Sequence, residues 1–352
     1  MNNAIFLLTD KPIEIERLHV CTWDMHGEGA IEIGIEFGSQ TWQKFNNVSA
    51  VNFTLSLPFL SKEDEVSCLA DTLVSVNNAN NKFIFNDTVH TTHTIKGEPA
   101  NGSVIMFSSR NPLAILPIRD VHHENGVLTF NVNNLDVLGE DNLPQTITAY
   151  VRILIQTKLE KFVVIHSGIA KTSYQYDLKI NEMRNIPEHI NNLVNRGQYI
   201  CRTIKSCFCM HVIPSDYAVT YAEANKLKNT RILESAAFNR YIPELNAKDN
   251  EYIILFQKDQ QKRDMGNNSA NGDSYSFFTE FEKERIGNIQ IIVSIVVNLL
   301  CSLVIAVATT NEATRYTIWY ANWAFWSIVG LIIILVLYLT YPQWRGRLKR
   351  GK

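Results

Sequence analysis

Apolar and polar residues alternate strictly over three stretches of the chain: Ile31–Phe37, Val51–Leu57 and Ile147–Gln156. Successive side chains of a strand point to opposite faces, so each stretch can bury one face and wet the other. Shorter candidates are Ile13–Val20, Lys82–Phe85, Ser103–Phe107, Val127–Val132, Lys161–His166 and Tyr174–Ile180. Turn residues separate them at Asn101-Gly102, Asn125-Gly126 and Gly139–Asn142. Many short strands joined in this way predict an antiparallel sandwich or open barrel. One insertion, Ser61–Leu73, reads as a helix, with Ser61 as its cap and acidic residues in the first turn.

The texture changes after residue 186. Pro187–Arg196 predicts a short helix, Ile200–Ile213 contains a strand, and Asn250–Phe256 is a further strand. Ser215–Leu233 reads as a helix, with Tyr217, Tyr221, Ala224 and Leu227 on one stripe. Residues 187–256 are therefore expected to form a mixed, partly helical subdomain beside a β-rich domain of residues 1–186. Residues 257–285 read as a tether and juxtamembrane segment. Gln257–Ser276 is polar and rich in Asn, Gly and Ser, and about 20 such residues span roughly 25 Å. Phe277, Phe278 and Phe281 would then form an interfacial collar.

Two apolar runs without a charged residue close the chain, Ile289–Ala308 and Trp319–Tyr341. About 20 apolar residues wound as a helix match the hydrocarbon thickness of a bilayer. Residues 286–344 are thus expected to be a transmembrane hairpin. The tail 345–352 carries Arg345, Arg347, Lys349, Arg350 and Lys352 and no acid, which places it on the cytoplasmic side. Two crossings return the chain to its starting side. The fold class expected is α+β: a β-rich, sandwich-like cytoplasmic domain with a helical subdomain, followed by a two-helix hairpin. The localisation expected is the cell inner membrane, with both termini cytoplasmic and the lipid bilayer as a partner.

Charge and cysteine content sharpen this picture. Of 33 basic and 35 acidic residues, six basic and one acidic lie beyond residue 285, which leaves 27 against 34 in the rest. That mildly acidic part argues against a general nucleic-acid-binding surface. The N-terminus has no basic region ahead of its short apolar stretch and does not read as a secretory signal. The six cysteines lack disulfide-scaffold spacing and are expected to be reduced thiols.

Candidate chemistry is sparse. Ser294, Asn298 and Ser302 share one face of the first apolar run, and polar residues there meet protein or water rather than lipid. They would cement the hairpin or a homo-oligomer, or line a leak pathway. Trp319, Trp323 and Trp326 resemble an aromatic belt at one interface, and Tyr341 and Trp344 its counterpart at the other. Cys207, Cys209 and His211 would share one face of a strand, which suits zinc, although alternating cysteines between Phe208 and Met210 also suit an ordinary core. His122-His123 falls at a turn, His90 and His93 at a strand rim, and Asp24 with His26 could form an acid–base pair. No phosphate-binding loop, nucleophile elbow, H-E-x-x-H or paired C-x-x-C occurs. An enzyme is therefore not expected, and no cofactor is implied.

This layout of Ile289–Tyr341, tether and β-rich domain resembles the two-transmembrane-helix effectors of bacterial anti-phage defence systems of the retron or cyclic-nucleotide type. The resemblance implies a membrane-anchored effector, or toxin. Its β-rich domain would sense a signal or be restrained by a partner, such as a cytoplasmic protein or ribonucleoprotein regulator. Its hairpins would associate and perturb the inner membrane. The alternative is a tethered binding or scaffold protein with a passive anchor.

Overall fold

The structure is a computed structural model. It describes residues 4–285 except 26–27, 39–48, 75–78, 86, 96–100, 134, 136–137, 139–146, 169, 243–246 and 261–273. Beyond 285 it describes 293–302, 305, 326, 329–330 and 333. The strands are β1 (Ala4–Thr9), β2 (Ile15–Met25), β3 (Glu28–Phe37), β4 (Ala50–Ser56), β5 (Glu65–Cys68), β6 (Val89–Thr94) and β7 (Ser103–Phe107). They continue with β8 (Leu113–Ile115), β9 (Arg119–Glu124), β10 (Val127–Asn133), β11 (Thr148–Lys158), β12 (Val164–Ser167) and β13 (Lys171–Ile180). The last are β14 (Ile200–Cys201), β15 (Ile204–Pro214), β16 (Tyr217–Ala222), β17 (Leu227–Ile232), β18 (Tyr252–Gln260) and β19 (Tyr275–Glu284). Among the described residues up to 285, the short α-helices are α1 (Ala70–Val74), α2 (Ala79–Phe85), α3 (Glu188–Asn195) and α4 (Ser235–Tyr241).

The strands build two sheets. The first runs β16-β19-β13-β1-β4-β10-β9, with β12 on β13 and β14 on β1. The second runs β17-β18-β15-β2-β3-β11-β8-β7-β6, with β5 on β11. Most pairs are antiparallel, but β1 with β13, β2 with β15 and β8 with β11 are parallel. The sheets share a core of alternating residues: Ile31, Ile33, Ile35 and Phe37 of β3 are fully buried. Phe37 meets Phe53 edge-on at 5.1 Å, and Phe53 stacks on Phe130 at 5.1 Å. Burying each such ring stabilises the fold by roughly 1.5–3 kcal/mol.

Strand β1 is buried on both faces. Ala4, Phe6 and Leu8 pack with Ile190 of α3 on one side, and Ile5 and Leu7 are fully buried on the other. A strand covered twice reads as a continuous apolar run, which is why its sequence does not alternate. The β9–β10 hairpin closes through Asn125 (φ 50°) and Gly126 (φ 78°), the left-handed pair that a two-residue hairpin demands.

Several expectations are corrected. Among the described residues no helix is long and apolar enough to cross a membrane. The described part of the first apolar run is helical at 293–302 and at 305. The two-helix hairpin and the multi-pass inner-membrane localisation are withdrawn. The helical subdomain fails locally as well. Ser215–Leu233 holds β16 and β17 instead of a helix, because Tyr217, Val219 and Tyr221 alternate as an edge strand and only coincidentally fit a helical stripe. Ser61–Leu73 holds β5 and the start of α1, and Lys82–Phe85 belongs to α2 rather than to a strand. The expected collar residues lie in β19, where Phe277 and Phe281 are fully buried and Phe278 is half-buried.

The chain divides into two compact units, Met1–Val164 with Gln175–Glu280, and Ile165–Tyr174 with Phe281–Lys352. Within the second, Lys171 Nζ donates to Glu282 Oε2 at 2.7 Å and the Arg285 N–H donates to the Ala170 carbonyl at 2.7 Å. All strands of the second sheet lie in the first unit.

Candidate functional site

The outer face of the second sheet carries a cleft of about 310 Å³. Its floor follows from strand register. In the parallel pair β2–β15, His19 lies beside Phe208 and Cys21 beside Met210. On β18, Phe256 sits opposite Met210, and Asn229 of β17 sits opposite Phe256. Alternation on β2 therefore points Arg17, His19, Cys21 and Trp23 into the cleft and the intervening residues into the sandwich. Helices α2 and α4 form the walls with Ile84, Phe85 and Phe238, and Arg110 enters from the segment after β7.

Four arginines line this space: Arg17, Arg110, Arg152 and Arg231. Two carboxylates on the same face of β3 hold three of them. Glu32 accepts from Arg152 Nε at 2.5 Å and from the Tyr241 hydroxyl at 2.9 Å. Arg152 Nη1 also donates to the Tyr150 hydroxyl oxygen at 3.1 Å, and its guanidinium lies 5.5 Å from the Tyr241 ring. Glu36 accepts from Arg110 Nη2 at 3.0 Å and from Thr148 Oγ1 at 3.1 Å, and Arg17 Nε stands 3.8 Å away. The Arg110 guanidinium is further sandwiched against Phe85 (4.9 Å) and Phe107 (5.2 Å). A cation held over aromatic faces and tied to a carboxylate loses little entropy when a ligand arrives.

The absence of a side chain at Gly34 makes the network possible. Gly34 lies between Glu32 and Glu36, paired with His19 on one side and Arg152 on the other. A Cβ there would fall 2.3 Å from the Tyr150 hydroxyl. That hydroxyl instead crosses β3 and reaches His19 Nδ1 at 3.3 Å.

Charges in the cleft are well defined. Burial, reinforced by Arg152, Arg17 and Arg110, holds the His19 pKa well below its ordinary value, so its imidazole is neutral near pH 7. Burial pushes the Cys21 thiol well up, with Glu32 adding to the effect, and a protonated thiol is a poor nucleophile. Burial opposes the Arg152 charge, but Glu32 outweighs it and keeps the guanidinium protonated. None of the residues lining the cleft is a carboxylate. The arrangement can bind and orient an anion; it offers no activated nucleophile.

The residues singled out in the sequence lie elsewhere. Ser294, Asn298 and Ser302 are exposed on the helix 293–302, where Ser302 Oγ donates to the Asn298 carbonyl at 2.8 Å. Trp326 is helical and exposed. Trp319, Trp323, Tyr341, Trp344, Arg345, Arg347, Lys349, Arg350, Lys352 and His26 lie outside the described residues. Cys207, Cys209 and His211 are fully buried on β15. His211 bonds Thr22 Oγ1 through Nδ1 at 2.7 Å and approaches Cys209 Sγ through Nε2 at 3.5 Å, with the Tyr176 ring 4.7 Å away. Among the described residues no group of three His, Cys, Asp or Glu could hold a metal ion. His90 meets Ser108 Oγ and His93 meets Thr91 Oγ1 on the exposed strand β6.

Sequence reasoning missed the arginine cleft. Its one local signal is Arg17-x-His19-x-Cys21-x-Trp23, polar groups at period two on a strand face opposite an apolar one. Compared with known proteins, the chain matches no family model and no curated protein.

Proposed function

We propose that this protein is a ligand-binding, sensing module whose cleft takes a small anionic molecule with an aromatic or apolar body. The observation that carries the reading is four guanidiniums converging on a cleft walled by Trp23, Phe85, Phe208, Phe238 and Phe256. Its volume of about 310 Å³ sits at the small end of ligand pockets, which run from about 300 to 1,000 Å³. Apolar walls with a few fixed charges are the usual design of a small-molecule site, and the carboxylate-tied arginines supply orientation. A neutral His19 and a protonated Cys21 favour binding over chemistry. In this reading the effector expectation keeps its sensing half alone: occupancy of the cleft is the signal.

The test is a thermal-shift and calorimetric screen of aromatic anions against neutral analogues of the same shape. Aromatic anions are expected to raise Tm by mass action, and Arg110→Ala combined with Arg231→Ala is expected to abolish the shift. Neutral analogues that stabilise equally well, or anions that bind the double variant unchanged, would refute the assignment.

A further inference from the structure

The cleft carries its charge unevenly. In its depth Arg152 is matched by Glu32, and the surrounding Cys21, Trp23, Phe238 and Ile254 are all buried and uncharged. Nearer the solvent stand Arg17, Arg110 and the exposed Arg231, with Glu36 the carboxylate among them. Three guanidiniums against one carboxylate leave a surplus of at least two positive charges at the mouth. Lys258, whose Nζ lies 5.2 Å from the Phe208 ring, adds a further cation beside it.

We propose that the ligand is a small phosphate monoester carried on a flat ring system. The doubly charged phosphate would be held at the mouth and the ring laid against the inner aromatic wall. This rests on the cleft being the ligand site. A phosphate monoester carries about −1.5 to −2 near pH 7 and offers three acceptor oxygens, which answers the surplus. A carboxylate or sulfate ester brings a single charge and leaves one guanidinium uncompensated. Planar guanidinium forks also match tetrahedral oxyanions through paired N–H bonds better than an ammonium does. The volume admits a ring of one or two cycles with its phosphate.

Glu36 is the residue that tunes the preference. At 7% side-chain exposure it is part of the protein rather than a displaceable surface group, and Arg110 and Thr148 hold it in place. It lowers the positive potential of the mouth and so tempers, without abolishing, the advantage of a doubly charged ligand over a singly charged one.

Calorimetric titration of the full chain with naphthyl phosphate and naphthyl sulfate tests this directly. The two differ by one charge and hardly in shape. Naphthyl phosphate is expected to bind about tenfold more tightly, the effect of one extra unit charge a few ångströms away near a protein surface. In Glu36→Gln the mouth gains positive potential, so both affinities are expected to rise, that of the phosphate more, and the ratio to widen several-fold. A gain of affinity cannot come from misfolding. Arg231→Gln, on an exposed edge strand, is expected to weaken the phosphate several-fold with the fold intact. Equal wild-type affinities would overturn the dianion assignment and leave the cleft reading standing. Absence of binding by either compound would overturn both, and a ratio unchanged in Glu36→Gln would remove the role given to Glu36. A phosphotyrosine peptide binding more tightly than naphthyl phosphate would replace the small-molecule ligand with a protein partner.

Discussion

At the scale of single residues, the cleft depends on one position where nothing is present. Gly34 leaves room for the Tyr150 hydroxyl to cross β3, and the β-carbon of an alanine would also crowd His19 at 3.3 Å. Its φ is unremarkable, so the requirement is space rather than backbone freedom. Gly34→Ala is expected to destabilise the fold by about 1–3 kcal/mol, as overpacking does, and to weaken anion binding because Tyr150 and Arg152 shift together. Urea unfolding followed by circular dichroism measures the first effect and titration the second. A wild-type midpoint with wild-type affinity would show that Tyr150 can be accommodated elsewhere. No sequence pattern identifies Gly34, since the contact joins residues far apart along the chain.

At the scale of elements, the cleft is assembled by segments that carry few of its polar groups themselves. Asp87, between α2 and β6, accepts from the backbone N–H groups of Thr88, Ser109 and Arg110 at 2.7, 3.2 and 3.1 Å, and from Ser109 Oγ at 2.8 Å. It thereby clamps the turn that delivers Arg110. Asp87→Ala is expected to raise the dissociation constant of an anionic ligand several-fold while far-ultraviolet dichroism stays native, because the guanidinium is less well placed rather than lost. Unchanged affinity would show that Phe85, Phe107 and Glu36 suffice to hold Arg110. Strand existence was well marked in the sequence: Ser103–Phe107 coincides with β7, and Ile31–Phe37 lies within β3. β16 and β17, edge strands of different sheets, were misread because an exposed edge strand has little buried face to stamp a period on it, and here both strands are largely exposed.

For the whole molecule, two histidines tie stability to pH, the fully buried His211 and the half-buried His19. Burial lowers the His211 pKa to about 3 and holds that of His19 well below its ordinary value. Both are neutral in the folded protein and protonate near pH 6.5 when unfolded. The unfolded state therefore binds more protons below pH 6.5, and stability present above that value is lost as pH falls toward 3. The expected slope for His211 alone approaches about 1.4 kcal/mol per pH unit across that window. His211→Gln should flatten the acid limb of a plot of urea midpoint against pH. A limb of unaltered steepness would assign the acid sensitivity to other groups. The sequence by itself determined the β-rich character, the positions of many strands and the Asn125-Gly126 turn, because period two and left-handed backbone positions are local properties. Tertiary structure alone decided that β1 is central and doubly covered. It also decided that Arg17, Arg110, Arg152 and Arg231 meet, and that Cys207, Cys209 and His211 are packing between sheets. Those outcomes depend on which strands become neighbours, and pairing between distant strands leaves no mark on the residues between them.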